Sequence, residues 1–201
     1  DDLAAMGSLK AQAKAQGWAF DWLARYGQGR GAGWQPFIVG RRLIRWINHA
    51  PLLLQDRPEA DRAAFMASLS AQLHFLARRW PEASVGVNRV EALTATITAG
   101  LVLTGLSAPV DPALSALAAH LEAEVDMGGG IASRNPEDLL DLFTLLTWVE
   151  QTLAEVGRAR NACGKGLGST FTKPSRFCIW PDSLTENGPK AGRSSVALPR
   201  R

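Results

Sequence analysis

Along residues 1–157 the chain reads as helix, short breaker, helix, six times over, and no segment shows the two-residue alternation of a half-buried strand. The first segment covers residues 2–26 and ends in the glycine-rich connection "GQGRGAGWQP". Pro36 opens the second, where Leu43, Trp46, Ile47, Ala50 and Leu54 fall on one helical face. Pro51 lies inside that pattern and must end or kink the helix near His49. Pro58 starts a third helix that runs to Trp80, where Pro81 stops it. A fourth covers residues 89–106; the fifth starts with Asp111 as cap and Pro112 in the first turn and stops at Gly128. In "NPEDLLDLF", Asn135 is placed to cap the sixth helix and Pro136 presets its first turn. Glu137 and Asp138 meet the positive end of the helix dipole. Leu139, Leu142, Phe143, Leu146 and Val149 are the expected buried stripe. The apolar residues are rich in Leu and Ala, with a single Tyr, which favours helix over strand. The expected fold class is all-α, built of helical hairpins packed side by side. No fixed-period repeat supports a regular solenoid.

The net charge of +3 averages two unlike parts. Residues 1–157 hold 13 Lys/Arg against 17 Asp/Glu, a net −4, and residues 158–201 hold 9 against 2, a net +7. In those last 44 residues 17 are Gly, Pro, Ser or Thr, and neither the helical nor the strand period is sustained. The segment reads as a disordered basic tail, or as non-native sequence past a change of reading frame. Because the body is net acidic, the basic pI does not mark a nucleic-acid binder. Residues 92–110 carry no charge and approach the roughly 20 residues needed to span a bilayer. They also include four Thr, two Gly, a Ser and a Pro, which suits a buried core helix and not membrane insertion. The chain has no initiator Met or basic-then-apolar leader and opens within a helical pattern, so a fragment is expected.

Most chemistry-bearing patterns fail on spacing. "GKGLGST" has the wrong order for a phosphate loop, and the glycines at 128–130 follow no strand. His49, His74 and His120 lie far apart, with no second His at helical spacing. Cys163 and Cys178 both sit in the tail and define no disulfide framework. The informative stretch is "GRRLIRWINHA". Arg41, Arg42 and Arg45 cluster on one helix with Asn48 and His49, near Trp34, Trp46 and Tyr26. Guanidinium groups bind carboxylate and sulfate in bidentate fashion, and aromatic faces stack on sugars, so the mixture suits an anionic carbohydrate. From the bare residues alone, a solvated basic face beside core tryptophans is the favoured reading.

Three separated motifs, "WLARYGQGRGAGWQPFIVGRRLIRWINHA", "FLARRWPEASVGVNRVEALTATITAGLVLTGL" and "GGGIASRNPEDLLDLFTLLTW", resemble the helical domain of bacterial heparinase II/III family proteins. The resemblance covers most of residues 1–157. It implies an incomplete α/α toroid followed in the family by a β-sandwich, and polysaccharide lysis by β-elimination on uronic-acid-containing glycans, sulfated ones included. It also implies placement in the cell envelope or periplasm. Such a lyase must neutralise the uronate carboxylate, remove the adjacent proton and protonate the leaving oxygen. On this resemblance Asn88 and His49 are the candidate catalytic residues. Arg41, Arg45, Asn48, Arg134 and Asn135 would contact substrate, with Trp34 and Tyr26 as stacking platforms. The match is patchy: Arg89 stands where the family often has His, Ile131 replaces the loop His, and Glu137 and Asp138 follow Pro136 where a Tyr is usual.

The expectation is therefore a lyase fragment that is inactive alone. It would use no cofactor in this chain, any metal belonging to the missing β-sandwich, and its partner would be an anionic polysaccharide. An incomplete toroid exposes the face its next hairpin would cover, so self-association is expected. The rival reading is a non-catalytic helical scaffold whose grooves bind a protein partner.

Overall fold

The computed structural model of the chain describes residues 2–103 and 109–164, which form eight α-helices and no strand. The stretch read as one opening helix is two. Gly7, at φ 59°, turns the chain after α1 (Asp2–Ala5), and Ser8 caps α2 (Leu9–Tyr26), its Oγ accepting from Ala11 N at 3.2 Å. A 3-10 turn at Ala32–Trp34 leads to α3 (Pro36–Asn48), and Pro51 has the expected effect. His49 closes α3 and starts the short α4 (Ala50–Leu54). After Pro58 comes α5 (Glu59–Arg79), then a 3-10 turn at Trp80–Glu82 and α6 (Val87–Val102). In α7 (Val110–Glu124) the cap position is Pro109, so Asp111 lies in the first turn and is not itself the cap. Helix α8 (Pro136–Gly164) runs past the boundary expected at residue 157. Residues 165–201, which hold Cys178 and most of "GKGLGST", lie outside the described residues.

Helix α6 is the centre of the packing. It lies against α3 and α8 on two sides, with α5 and α7 also against it. All ten residues 90–99 are buried. A helix apolar all round belongs inside a protein or inside a bilayer, and here four helices surround it. Among the described residues no helix is long and apolar enough to cross a membrane. Helix α5 offers Phe65, Leu69, Leu73 and Leu76, one helical face, to the same core. The stripe expected on the second segment is present: Leu43, Ile47 and Ala50 are buried, and Trp46 and Leu54 are half-buried.

The stripe on α8 is rotated from expectation. Leu142 and Val149 are buried together with Leu145, but Leu139 and Phe143 are 41% and 66% exposed. The helix is apolar over two adjoining sectors, and packing on α6 covers only one of them.

The start of α8 follows its cap chemistry. The Asn135 side-chain oxygen accepts from Glu137 N at 3.1 Å, and its Nδ2 donates to Asp138 Oδ1 at 3.1 Å. Asn135→Ala should lower stability by about 1 kcal/mol in urea titration, and Asn135→Asp should recover most of it. An unchanged midpoint for the alanine variant would mean that the cap contributes nothing measurable.

Candidate functional site

The polar residues of α3 are held by two different neighbours. Arg41 reaches α6, where its Nε and Nη2 donate to the two Glu91 carboxylate oxygens at 2.7 and 2.9 Å. The Glu91 side chain is 8% exposed and that of Arg41 is 49% exposed, so a nearly buried carboxylate is matched by a bidentate fork. That hydrogen bond raises the pKa of Arg41 above its ordinary value against the effect of burial. Around the pair is a polar hollow of about 180 Å³ between α3, α6 and α8, also lined by Arg45, Asp141 and Trp148.

Arg42, one residue on, turns the other way. Its guanidinium carbon lies 3.8 Å from the Trp22 ring centroid, 5.4 Å from Trp34 and 6.0 Å from Trp46. Nε donates to Gln72 Oε1 and Nη1 to the Gly33 carbonyl, both at 2.8 Å. Nη2 is buried without a hydrogen-bond partner. Burial pulls the pKa of this group down to about 10, which leaves it a cation at neutral pH. Beside it runs a mostly apolar groove of about 400 Å³, lined by Trp18, Trp22, Trp46, His49 and Leu53 among others. Burial, above all, holds the His49 imidazole below its ordinary pKa.

The glycine loop before α8 is filled by its own chain. Asp126 Oδ1 accepts from Gly128 N and Gly130 N, both at 2.8 Å, while Asp126 N donates to the Gly130 carbonyl. Gly129 sits at φ 78°, and Val125 and Ile131 pair across the loop. Successive loop amides can cradle an anion, but here a side-chain carboxylate already occupies them.

These placements decide which expected residues meet. Arg41 and Arg45 share the polar hollow, and Arg45 and His49 share the aromatic groove. Asn88 lies elsewhere, donating to Ser84 Oγ at 2.8 Å and lining a third hollow of about 350 Å³ with Glu124, Ser133 and Asp138. The two candidate catalytic residues thus line different cavities. Trp34 is 7% exposed and donates its indole N–H to the Tyr26 carbonyl at 2.7 Å, so it has no face for a sugar. Tyr26 is 54% exposed at the end of α2, Asn48 is exposed at the end of α3, and Arg134 is exposed at φ 51°. Asn135 is engaged as a cap. Among the described residues no three His, Cys, Asp or Glu side chains gather to hold a metal.

Glu91, Gln72 and Trp22 complete these contacts although no motif points to them, and by motif Arg42 is legible in the sequence only as one of a basic cluster. Position gives a signal for two of them. Glu91 is the acid that opens the uncharged run, and Arg42 falls between Val39 and Trp46 at helical spacing on the inward face.

No protein-family model and no solved structure matches the chain. It is 30% identical over 166 residues to FtsZ-localized protein C of Caulobacter vibrioides (strain NA1000 / CB15N). That alignment takes in 81% of this chain and 28% of the relative, so the chain spans less than a third of the relative's length. The heparinase II/III resemblance, and with it the reading as a polysaccharide lyase, is corrected by these findings. The geometry explains why the motifs misled. "GGGIASRNP" is a loop closed by Asp126 and a helix cap, and "GVNRVEAL" is the entry to a core helix whose Glu91 is consumed by Arg41. Both are ordinary helix-punctuation chemistry, which short motifs share across unrelated helical proteins.

Proposed function

We propose that this chain is a non-catalytic helical scaffold that binds a protein partner, and that the partner belongs to an FtsZ-containing assembly. The observation that carries this reading is the similarity to FtsZ-localized protein C over most of the chain. The dispersal of Asn88 and His49 into separate hollows supports it. So does the use of Arg41, Trp34 and Asn135 in internal contacts. We also infer that the helices follow the arc of an incomplete α/α toroid. In support, α3, α6 and α8 lie in an unbroken row, with α5 packed on α3 and α6, and α7 on α6.

The test is direct binding of the full chain to purified FtsZ, read by biolayer interferometry, with heparin-agarose retention run alongside. Saturable binding to FtsZ is the expected result. Absence of FtsZ binding, with heparin retention that is lost in the Arg41→Ala/Arg45→Ala double variant, would overturn it.

A further inference from the structure

Helix α8 has a second apolar face that no described helix covers. Leu139, Phe143, Leu146 and Leu153 follow the alternating four- and three-residue steps of a helix–helix seam, with Glu150 at the intervening step. Leu139 is 41% exposed, Phe143 66% and Leu153 36%, and Leu146 is half-buried. The third hollow lies on the neighbouring sector of α8, where Asp138 and the buried Leu142 line it together with Glu124 of α7. The charged residues of the seam and of this flanking hollow are all acids: Glu150 on the seam, Glu124 and Asp138 in the hollow. Between residues 136 and 157 the helix holds five acids and no Lys or Arg, and its basic residues, Arg158 and Arg160, come only after the seam.

From this charge pattern we infer that the α8 face receives an amphipathic helix of a partner protein, with leucine-type side chains at seam spacing and lysine or arginine beside them. The inference rests on the scaffold reading and names the surface and the chemistry of the partner. A second copy of this chain would bring the same acids against one another, and an anionic membrane would be repelled by them. The chain's own basic tail supplies charge but not the apolar spacing that would fill the seam. A partner helix satisfies both, because the apolar row gives the area and the flanking cations pair with Glu150 and the acids of the hollow.

The probe is a labelled synthetic peptide of about 21 residues, with Leu at the a and d heptad positions and Lys at e and g. Its twin carries Glu at e and g. Fluorescence anisotropy follows each peptide as the full chain is titrated in. The Lys peptide should bind saturably and the Glu peptide at least about tenfold more weakly. Phe143→Asp should weaken the Lys peptide about tenfold, and Glu150→Lys should shrink the preference between the two. Both positions are exposed. Circular dichroism checks that each variant keeps its helices. Equal binding of the two peptides, or binding that ignores Phe143→Asp, overturns the inference. So does a concentration-dependent dimer that Phe143→Asp abolishes, since a second copy would then cover the face. FtsZ binding that survives Phe143→Asp would overturn this surface and leave the scaffold reading standing. Absence of FtsZ binding in the unaltered chain, with heparin retention lost in the Arg41→Ala/Arg45→Ala variant, would overturn that reading while the peptide result is judged on its own.

Discussion

Gly40→Val should cost about 3 kcal/mol of unfolding free energy, enough to remove a large part of the stability of a domain this size. Gly40 is buried in α3 at its crossing with α6. A Cβ there would sit 3.0 Å from the Glu91 carbonyl oxygen, 3.1 Å from Ala92 Cα and 3.2 Å from the Glu91 carbonyl carbon. All three are backbone atoms of the most enclosed helix in the molecule, so they cannot swing aside as a side-chain tip would. At an open helical site, replacing Gly by Ala gains up to about 1 kcal/mol from backbone propensity. Gly17 is such a site: it is exposed in α2 and nothing lies within 4 Å of its would-be Cβ. The pair forms an internal control. Gly17→Ala should stabilise, Gly40→Ala should destabilise despite the same propensity gain, and Gly40→Val should do so most. Urea titration of the three variants reads all of this. A stabilised Gly40→Ala would show that the two helices can part without loss, and that the close crossing is not needed.

The same crossing marks what the sequence could tell and what it could not. Helix positions were legible because Pro36, Pro51, Pro58 and Pro136 act locally, through a fixed φ and a missing N–H, whatever the tertiary surroundings. The Asn135 cap was legible for the same reason. The core character of α6 was legible because an uncharged run with four Thr has few other homes. What spacing alone does not carry is which of two apolar sectors a neighbour covers. On α8 the expected stripe mixed both, and only the position of α6 separates buried Leu142 from exposed Phe143. Site geometry was the least legible part. Arg41, Arg42 and Arg45 look alike in sequence, yet one residue of helical rotation, about 100°, sends Arg41 to Glu91 and Arg42 into a tryptophan cage. Short motifs then gave a resemblance that the longer comparison with FtsZ-localized protein C does not sustain.

Arg42→Ala should cost about 3–5 kcal/mol, the sum of a lost cation–π contact, two stranded acceptors and a void. The loss has separable parts. Truncation removes the guanidinium from the face of Trp22, worth about 1–2 kcal/mol for a desolvated cation. It strands the Oε1 of Gln72, a side chain with 0% exposure, together with the Gly33 carbonyl. It also leaves a void among three tryptophans. Arg42→Met keeps most of the volume while discarding the buried cation, so it should lose less than Arg42→Ala. Adding Gln72→Leu to Arg42→Met removes the stranded acceptor and should restore part of the difference. The pH dependence carries its own sign. The folded-state pKa is lowered to about 10, below the ordinary guanidinium value, so the cost of burying the cation is present in full below about 10. It is relieved only as pH rises through that value, because the unfolded chain then holds more protons than the folded one. The stability gap between the parent chain and Arg42→Met should therefore stay flat from about pH 6 to pH 9. It should widen in the parent's favour above about pH 10. A gap that instead changed around the histidine range would transfer the effect to His49, which lines the same groove. Arg42 would then be only a packing element beside a titrating imidazole.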